Sequence, residues 1–274
     1  MVAKTSTSAR LDAYVCPICK AALEPAGAGL ECCQCSQAFP VIDGLPDFVR
    51  QDLSKSDEPI LRKVGKMDRL ARFYESRFWY PVVLNLVGGL GSTTLGELIG
   101  EISSMVKDVH GRILDVACGP GTYGRRVASG ARVVFGIDVS MNMLRQGVVY
   151  TEREGVDQMH FARARVESLP FADQFFDAAL CCGSLHLFPD TVQALSEIAR
   201  AMKPGAPLAA MTFTPGGRGI VRFQRLRERL ERSRGVRVFG ISEMEQYLAT
   251  AGFDDFQPTT YGSILVFRAR RRAV

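Results

Sequence analysis

The 274-residue chain has no run of about 18 or more apolar residues, the length that a membrane-spanning helix needs. Its opening, "MVAKTSTSARLDAYVC", has basic residues but lacks the apolar segment of a secretory signal. No internal repeat is visible. These absences argue against a membrane or secreted protein. We therefore expect a globular chain in the cytoplasm, with no membrane partner.

The chain also lacks a strong excess of charge of either sign. Its formal net charge is +5, and much of the excess lies in "RFQRLRERLERSRGVR" and in the tail "RARRRAV". A basic face can meet an anionic substrate or RNA, but a solvated helix and a charged tail explain these stretches as well. Charge therefore identifies no partner, and the sequence does not indicate an oligomeric state.

Cysteine is present, and it is clustered. Five of the eight cysteines fall within twenty residues, at Cys16, Cys19, Cys32, Cys33 and Cys35. In a reducing compartment such a cluster indicates a metal site rather than disulfides. Cys16 and Cys19 have the two-residue spacing that aims two thiolates at one ion, and Cys32 and Cys35 repeat it. We predict that these four bind zinc and that Cys33 is a spare thiol.

The segment around the cysteines is predicted to be a zinc ribbon over residues 1–50. The twelve residues between the two pairs contain glycine and proline, as expected for a hairpin. About forty residues can hardly form a core without a cross-link, and a four-thiolate zinc is coordinatively closed. The zinc is therefore expected to stabilise the fold and to do no chemistry. A polar linker is expected over residues 51–66.

Residues 67–274 are predicted to form a second domain of the α/β class. Two or three helices are expected over 67–110, and from 111 onward short β-rich runs alternate with helical ones. This alternation predicts a Rossmann-like, doubly wound, seven-stranded sheet with helices on both faces. The last two strands, with no helix between them, are expected to form an antiparallel hairpin at one edge. A basic amphipathic lid is predicted near 215–238.

A ligand site is predicted where "RILDVACGPGTYG" passes from strand to helix. The bare backbone of Gly119 and Gly121 allows a ligand to approach closely. The next strand ends in Asp138, whose carboxylate is placed to bind the two hydroxyls of a ribose. With Gly124 the loop also satisfies the dinucleotide fingerprint G-x-G-x-x-G. These two elements alone leave NAD open as the ligand.

Four ordered motifs carry a resemblance to a known family: "LDVACGPG", "GIDVSMNML", "SLPFADQFFDAAL" and "EIARAMKPGAPLAAMTF". Together they resemble the class I S-adenosylmethionine-dependent methyltransferases, in the quinone-biosynthesis and small-molecule branch (methyltransferase domain 11-like). The last two have no counterpart in the dinucleotide fingerprint, which disfavours NAD. "YVCPICKAAL" and "LECCQCSQAFPVIDGLPDFV" resemble the zinc ribbon in front of some methyltransferases. More distantly, the chain is similar to rRNA guanine methyltransferases that carry such a ribbon.

The resemblance implies the residues that hold S-adenosylmethionine. Its methionine part would be held by Asp115 and the backbone of the loop, its ribose by Asp138, and its adenine by residues further on; the set is Asp115, Ala117, Gly119, Gly121, Asp138, Val139, Met143 and Val166. Ala117 departs from the family, which usually has glycine there. Arg165 stands where many relatives have an adenine-binding aspartate, so we expect backbone contacts from Val166 to replace it.

His186 is the candidate catalytic residue. It lies in "CCGSLHLFPD", after a strand, at the edge of the sheet where such folds bind ligands. A neutral imidazole can take a proton from a phenol or enol hydroxyl, although a structural histidine at a helix start explains the position equally well. Positioning alone can supply most of the acceleration of methyl transfer, so a base is optional.

The expected acceptor is a small, aromatic or hydrophobic metabolite. One alternative is an rRNA guanine methyltransferase whose ribbon contacts RNA. The ribbon from residue 15 to 50 is net acidic, which disfavours that interpretation, since phosphate binding needs clustered Lys and Arg. The other alternative is a non-methylating scaffold or cyclase on a methyltransferase fold.

Overall fold

The computed structural model describes residues 11–49, 79–89, 91–215 and 237–273. Within these ranges the helices are α1 (Trp79–Gly88), α2 (Leu95–Met105), α3 (Gly124–Val127), α4 (Met141–Glu154), α5 (Thr191–Ala201) and α6 (Ile241–Thr250). The strands are β1 (Leu23–Ala26), β2 (Gly29–Cys32), β3 (Ala38–Ile42), β4 (Leu45–Pro46), β5 (Gly111–Val116), β6 (Arg132–Asp138), β7 (Met159–Arg163), β8 (Ala178–Cys182), β9 (Pro207–Phe213), β10 (Phe253–Tyr261) and β11 (Ile264–Arg271).

Strands β5 to β11 form the predicted seven-stranded sheet, in the order β10-β11-β9-β8-β5-β6-β7. Neighbouring strands from β9 to β7 run parallel, whereas β11 is antiparallel to both β9 and β10. The predicted α/β class, the mostly parallel sheet and the antiparallel edge hairpin are therefore confirmed. Strands β1 to β4 form a separate antiparallel sheet, with one cysteine pair before β1 and the other at the end of β2 and just after it.

The central strands are largely apolar because both faces of the sheet are covered. On one face, Leu98 and Ile102 of α2 and Leu144 of α4 pack against Ile113 and Val134 of the sheet. Helix α2 begins at a capping box, in which Thr94 accepts from the amide of Glu97 and the Glu97 side chain accepts from the amide of Thr94. This cap fixes the start of the helix, which packs on β9 and β11.

On the opposite face the ribbon lies beside α5 and α6. The connection from β7 to β8, described throughout, contains a single turn of 3-10 helix (Val166–Ser168) instead of an α-helix. The uncovered sheet face beside it is filled by ribbon aromatics: Tyr14 lies 6.3 Å from Phe135 and 5.3 Å from Phe171 between ring centroids. Phe48 packs on Tyr14 at 5.5 Å. The ribbon and the sheet thus share one hydrophobic core.

Several expectations fall on parts of the chain outside the described residues. These are the linker over residues 51–66 and almost all of the lid near 215–238, together with residues 67–78 of the predicted helices. The division of the chain at residue 50 stays a prediction. Among the described helices, each is too short or too polar to cross a membrane.

Candidate functional site

The order in which successive strands are added to the sheet reverses at one position, between the neighbouring strands β5 and β8. From β5 the chain proceeds outward through β6 to β7, and from β8 outward through β9, while β5 and β8 are direct neighbours. In open α/β sheets ligands bind at this switch point, outside the carboxyl ends of the strands. The loops after β5 and after β8 therefore face the expected crevice.

The loop after β5 and the end of β6 are locked together by Asp138. Its Oδ2 accepts a hydrogen bond from the backbone N–H of Gly119 at 2.9 Å, and its Oδ1 accepts one from the N–H of Ser140 at 2.8 Å. Three residues of the loop have positive φ: Ala117 at 49°, Gly119 at 55° and Gly121 at 77°. The structure thus brings the loop and the predicted ribose carboxylate into direct contact.

Asp115 lies beneath the same loop and is 2% exposed. Its Oδ2 accepts a hydrogen bond from the N–H of Gly124 at 3.0 Å. Burial, together with the nearby charge of Asp138, raises the pKa of Asp115 to about 7. Two carboxylates at one loop make the site suited to a ligand that carries positive charge.

Gly121 packs the loop closely against β7. Its φ is 77°, and a Cβ added to it would lie 2.7 Å from the Cε of Met159 and 3.1 Å from the ring of Phe161. Its N–H donates to the carbonyl of Cys118 within the loop. The missing side chain therefore allows the loop to pack on β7, and close approach of a ligand at Gly119 and Gly121 stays a prediction.

The residues expected near adenine lie at the ends of two adjacent strands. Val139 follows Asp138 directly, and Ser140 then caps α4 by accepting from the N–H of Met143 at 3.1 Å. Val166 is buried in the 3-10 turn after β7. Arg165, which stands where many relatives have an aspartate, forms a partly buried ion pair with Glu167, with its Nε 3.2 Å from Oε2.

His186 lies at the predicted edge, in the 3-10 turn (Leu185–Leu187) that follows β8. It is 7% exposed, and its ring packs on Phe213 at the end of β9 with the centroids 4.3 Å apart. Burial lowers the pKa of His186 to about 3, so its imidazole is neutral at physiological pH. Among the described residues nothing hydrogen-bonds to its buried Nδ1.

Two polar contacts near the glycine loop were missed by sequence reasoning. The hydroxyl of Tyr80 in α1 lies 3.1 Å from Oγ1 of Thr122, which is buried just after the loop. Tyr123 is also buried, with its hydroxyl 3.9 Å from Sδ of Met211 on β9. These contacts place α1 and β9 beside the loop. Tyr80 belongs to an aromatic group visible in the sequence, but nothing in the sequence paired it with Thr122.

The four predicted zinc ligands come together in the ribbon. The sulfur atoms of Cys16, Cys19, Cys32 and Cys35 all lie within 4.8 Å of one another. The Sγ atoms of Cys16 and Cys35 are 3.7 Å apart and those of Cys19 and Cys32 are 3.4 Å apart. A tetrahedral zinc with four thiolates requires separations of about 3.8 Å, so the donor set fits that ion. Cys33 is exposed and outside the cluster, as predicted.

The two cysteine pairs sit in turns of the same geometry. In the first, the N–H of Lys20 donates to the carbonyl of Cys16, and the N–H of Cys16 donates to the carbonyl of Ala21, both at 2.9 Å. The second repeats both bonds at Cys32, with Ser36 and Gln37 as partners at 3.0 and 2.9 Å. Lys20 and Ser36 each have positive φ, 62° and 53°. Such equivalent turns orient two thiolates each toward a common point.

Backbone N–H groups also favour the thiolate form that a metal requires. The N–H groups of Cys35 and Gln34 both point at Sγ of Cys32, each at 3.5 Å. Mainly through the first of these, the pKa of Cys32 is lowered to about 6. A thiol that ionises readily binds metal more easily.

Comparison with known proteins agrees with this site. The sequence matches the family model of a methyltransferase domain over residues 113–205, which include the glycine loop, Asp138 and His186. Residues 113–205 are therefore a methyltransferase domain, and together with the fold they support a class I S-adenosylmethionine-dependent methyltransferase. The seven-stranded sheet and the glycine loop are those of a Rossmann-like methyltransferase.

Two curated methyltransferases illustrate the similarity. An uncharacterized chloroplastic methyltransferase of Arabidopsis thaliana is 26% identical over 286 residues, covering 94% of this chain and 78% of the relative. A ubiquinone/menaquinone biosynthesis C-methyltransferase of Pectobacterium atrosepticum is 32% identical over 108 residues, covering 38% of this chain and 43% of the relative. The match to the bacterial methyltransferase thus spans less than half of either chain.

A solved methyltransferase has the same fold. Phosphoethanolamine N-methyltransferase 2 of Haemonchus contortus, in complex with phosphomonomethylethanolamine and S-adenosylhomocysteine, superposes with a TM-score of 0.62. The superposition covers 80% of this chain and 61% of that chain at 18% identity. At this level of identity the similarity concerns the fold alone.

The described residues fit the cofactor of a class I methyltransferase. A positively charged sulfonium and amino group suit the two carboxylates at the loop, Asp115 and Asp138. The ribose diol suits a half-buried carboxylate at the end of β6. The donor set and the bare backbone at Gly119 are therefore compatible with S-adenosylmethionine.

Proposed function

We propose that this methyltransferase acts on a small, aromatic or hydrophobic metabolite. The observation that carries the proposal is the arrangement of two groups on either side of the switch point. The loop held by Asp138 lies on one side. On the other side, the buried ring of His186 packs on Phe213. One side of the crevice offers charge for a cofactor, and the other offers an aromatic surface and one neutral imidazole. A flat or apolar acceptor matches such a wall better than a charged one.

The residues of the loop would orient the reactants. S-adenosylmethionine, when bound, supplies a methyl group on a sulfonium that is an excellent leaving group. Asp138 would accept hydrogen bonds from the ribose hydroxyls, and Asp115 would offset positive charge at the methionine end. Ala117 and Gly119 would present backbone groups between these carboxylates. Holding donor and acceptor in line can supply most of the rate acceleration.

His186 would position the acceptor by hydrogen bonding at Nδ1. With a pKa near 3, its imidazole is a weak base and stores no proton at neutral pH. It can nevertheless accept a hydrogen bond from an acceptor hydroxyl. Phe213 beside it would supply apolar contact. His186 is therefore proposed as an orienting group in the acceptor site rather than as a strong general base.

The cysteine ribbon is proposed to bind one structural zinc through Cys16, Cys19, Cys32 and Cys35. The sulfur separations and the repeated turn geometry support this assignment. Four thiolates leave no open coordination position, so the ion would stabilise the ribbon without taking part in chemistry.

The charges of the ribbon favour a metabolite over RNA as the acceptor. Residues 11–49 contain one cation, Lys20, against five acidic residues. The Lys20 ammonium is 3.0 Å from Glu197 and 2.9 Å from the carbonyl of Leu169, so its charge is already paired within the protein. A ribbon of this charge is poorly suited to phosphate binding.

The location of the protein in the cell also stays a prediction. The sequence led us to expect the cytoplasm, whereas the Arabidopsis thaliana relative is named chloroplastic. Fractionation of the source cells with an antibody against the chain would test the expectation.

Methyl transfer can be tested without knowing the acceptor. The purified protein is incubated with methyl-labelled S-adenosylmethionine and, separately, with small-molecule and RNA fractions of the source cells. We expect label in a small, organic-extractable product, lost in Asp138→Ala. Label in RNA would support the ribosomal alternative. Tight cofactor binding with no label in any fraction would contradict the proposal and support a non-methylating scaffold.

A further inference from the structure

The ribbon contacts both protein segments that lie beyond the expected ribose. The β5 loop, Asp138 on β6 and the end of β7 follow one another across the sheet, because these strands are adjacent and parallel. A nucleoside whose ribose lies at Asp138 and whose other end lies at the β5 loop must therefore extend its base toward β7. The backbone there consists of Val139 after β6 and the 3-10 turn Val166–Ser168 after β7.

The first contact is made by Arg163, the last residue of β7 and the strand neighbour of Asp138. Its Nε donates to the carbonyl of Val139 at 2.8 Å. Its Nη1 donates to Oδ2 of Asp47 at 2.9 Å and to the carbonyl of Val49 at 3.2 Å. One guanidinium thus joins the end of the ribbon to the backbone next to the ribose carboxylate.

This joint is mostly buried. The Arg163 side chain is 15% exposed and that of Asp47 is 8% exposed. The N–H of Phe48 also donates to the carbonyl of Arg163 at 2.8 Å, so the chain after β4 runs along the edge of β7 like an added strand. Buried charges held by several hydrogen bonds have well-defined positions, and removing one partner is costly.

The second contact is made by the first cysteine turn. Ser168 Oγ donates to the carbonyl of Pro17, which lies between Cys16 and Cys19, at 3.0 Å. Lys20 Nζ donates to the carbonyl of Leu169 at 2.9 Å, and Glu197 accepts from both Lys20 and the N–H of Leu169. The turn that presents two thiolates therefore also holds the segment directly after Val166.

We propose that the ribbon is a supporting wall of the nucleoside site, with Arg163 as the positioning residue that couples ribbon order to S-adenosylmethionine affinity. The inference rests on the proposed cofactor and zinc sites. Arg165 stands next to Val166 and pairs with Glu167, so recognition of the base depends on backbone whose position the ribbon fixes. Without an ordered ribbon, cofactor binding must also order this backbone, and that cost weakens the affinity.

Coupling of this kind is reciprocal, which gives a test on the unmodified protein. If zinc strengthens cofactor binding by some factor, the cofactor must strengthen zinc binding by the same factor. The apparent zinc affinity of the full chain is measured with a chromophoric chelator, with and without saturating S-adenosylmethionine. We expect the cofactor to tighten zinc binding on the order of tenfold.

Variants then locate the coupling, with calorimetry as the readout on zinc-loaded protein. Arg163→Gln is expected to weaken S-adenosylmethionine binding about tenfold, the scale of a lost charged hydrogen bond. Asp47→Asn keeps the acceptor for the N–H of Val49 but loses the charge that faces Arg163, and we expect a smaller loss of about threefold. The matched control is Arg145→Gln, which removes an exposed ribbon–core ion pair, Arg145–Asp43 at 2.7 Å, and should leave the affinity unchanged.

The outcomes separate this inference from the proposed function. If the wild-type protein binds neither zinc nor S-adenosylmethionine, the proposed function fails and the inference fails with it. If it binds both, but the cofactor leaves zinc affinity unchanged and Arg163→Gln binds like wild type, the inference alone is wrong. Should Arg163→Gln fail to fold, the reciprocal measurement on the wild-type protein decides.

Discussion

The Asp115 carboxyl combines near-complete burial with proximity to the Asp138 charge, and both raise its pKa, to about 7. A carboxyl whose pKa is raised by folding stabilises the protein fully only below its unfolded pKa of about 3.9, and that contribution is lost as the pH rises through about 7. The apo protein is therefore expected to lose this stability between about pH 4 and pH 7.

Asp115→Asn should remove this pH dependence. The amide oxygen can still accept from the N–H of Gly124, but no buried charge forms. We expect the variant to be on the order of 1–3 kcal/mol more stable than wild type at pH 8 and similar to it at about pH 4, measured by urea unfolding. S-adenosylmethionine binding should weaken in the same variant. A variant less stable than wild type at pH 8 would contradict the assigned burial.

Ala117 carries backbone strain that glycine would relieve. Its φ of 49° lies in the left-handed region, which costs a residue with a Cβ about 1–2 kcal/mol. Since glycine also raises the entropy of the unfolded chain, Ala117→Gly should stabilise the apo protein by a net ~0.5–1 kcal/mol. Gly155→Ala is the opposite control, because Gly155 caps α4 at φ 66° with open space around it. It should destabilise by a similar amount, and equal signs for the two would refute this explanation.

His186 is predicted to act without changing its charge. Because burial lowers its pKa to about 3, kcat/KM should show no inflection near pH 6.5 that belongs to this residue. With the acceptor found by isotope labelling, His186→Phe should reduce kcat/KM roughly 10- to 100-fold through one lost hydrogen bond, and His186→Gln should recover part of it. An inflection near pH 6.5 that disappears in His186→Gln would show a conventional base instead.

At the scale of elements, the cysteine turns and the sheet are linked by the segment after β7. Zinc removal should therefore loosen the ribbon first and the 3-10 turn Val166–Ser168 with it, while β5 and β8 stay protected. Hydrogen exchange with and without a strong chelator measures this order. Loss of protection in β5 and β8 before the ribbon would contradict it.

Two serine variants distinguish a proposed zinc ligand, Cys19, from the neighbouring Cys33, which lies outside the cluster. Cys19→Ser removes one of the four clustered thiolates, whereas Cys33→Ser alters the exposed neighbour outside the cluster. Metal analysis should find one zinc per chain in wild type and Cys33→Ser, and much less in Cys19→Ser. Equal zinc in the two variants would refute the assigned ligand set.

The sequence was sufficient for the elements whose signals are local. The spacing of Cys16, Cys19, Cys32 and Cys35, the strand-loop pattern before Gly119, and the acid at the end of β6 each follow from a short stretch of chain. It was not sufficient to show that Gly121 is needed for packing, because a Cβ there would collide with Met159 and Phe161 on β7. A glycine required for packing and a glycine required for ligand approach look the same in one sequence.

Contacts between distant parts of the chain were also beyond the sequence. Arg163 and Asp47 are 116 positions apart, and Lys20 and Glu197 are 177 apart. Each of these four is a charged residue in a largely apolar stretch, which is a weak sign that it forms a buried ion pair. The neighbouring sequence does not indicate which residue is its partner. The short β7–β8 connection likewise left a face of the sheet open, and only the fold shows that the ribbon covers it.

At the scale of the whole molecule, Asp138 holds the β5 loop at the switch point of the sheet, and the cysteine ribbon packs against the outside of β7. The acidic ribbon and the aromatic wall at Phe213 both favour a metabolite as the acceptor. The proposed function depends on one claim, that the carboxylate of Asp138 at the end of β6 binds the nucleoside.

Calorimetric titration with S-adenosylmethionine tests that claim most directly, with Asp138→Ala compared against Asp177→Ala. Asp177 is a fair control because it also accepts from a backbone N–H, that of Arg112 at 2.8 Å, but at the opposite end of the sheet. We predict one site per chain in wild type, unchanged affinity in Asp177→Ala, and at least about tenfold weaker binding in Asp138→Ala. Equal affinity in all three folded proteins would contradict the account.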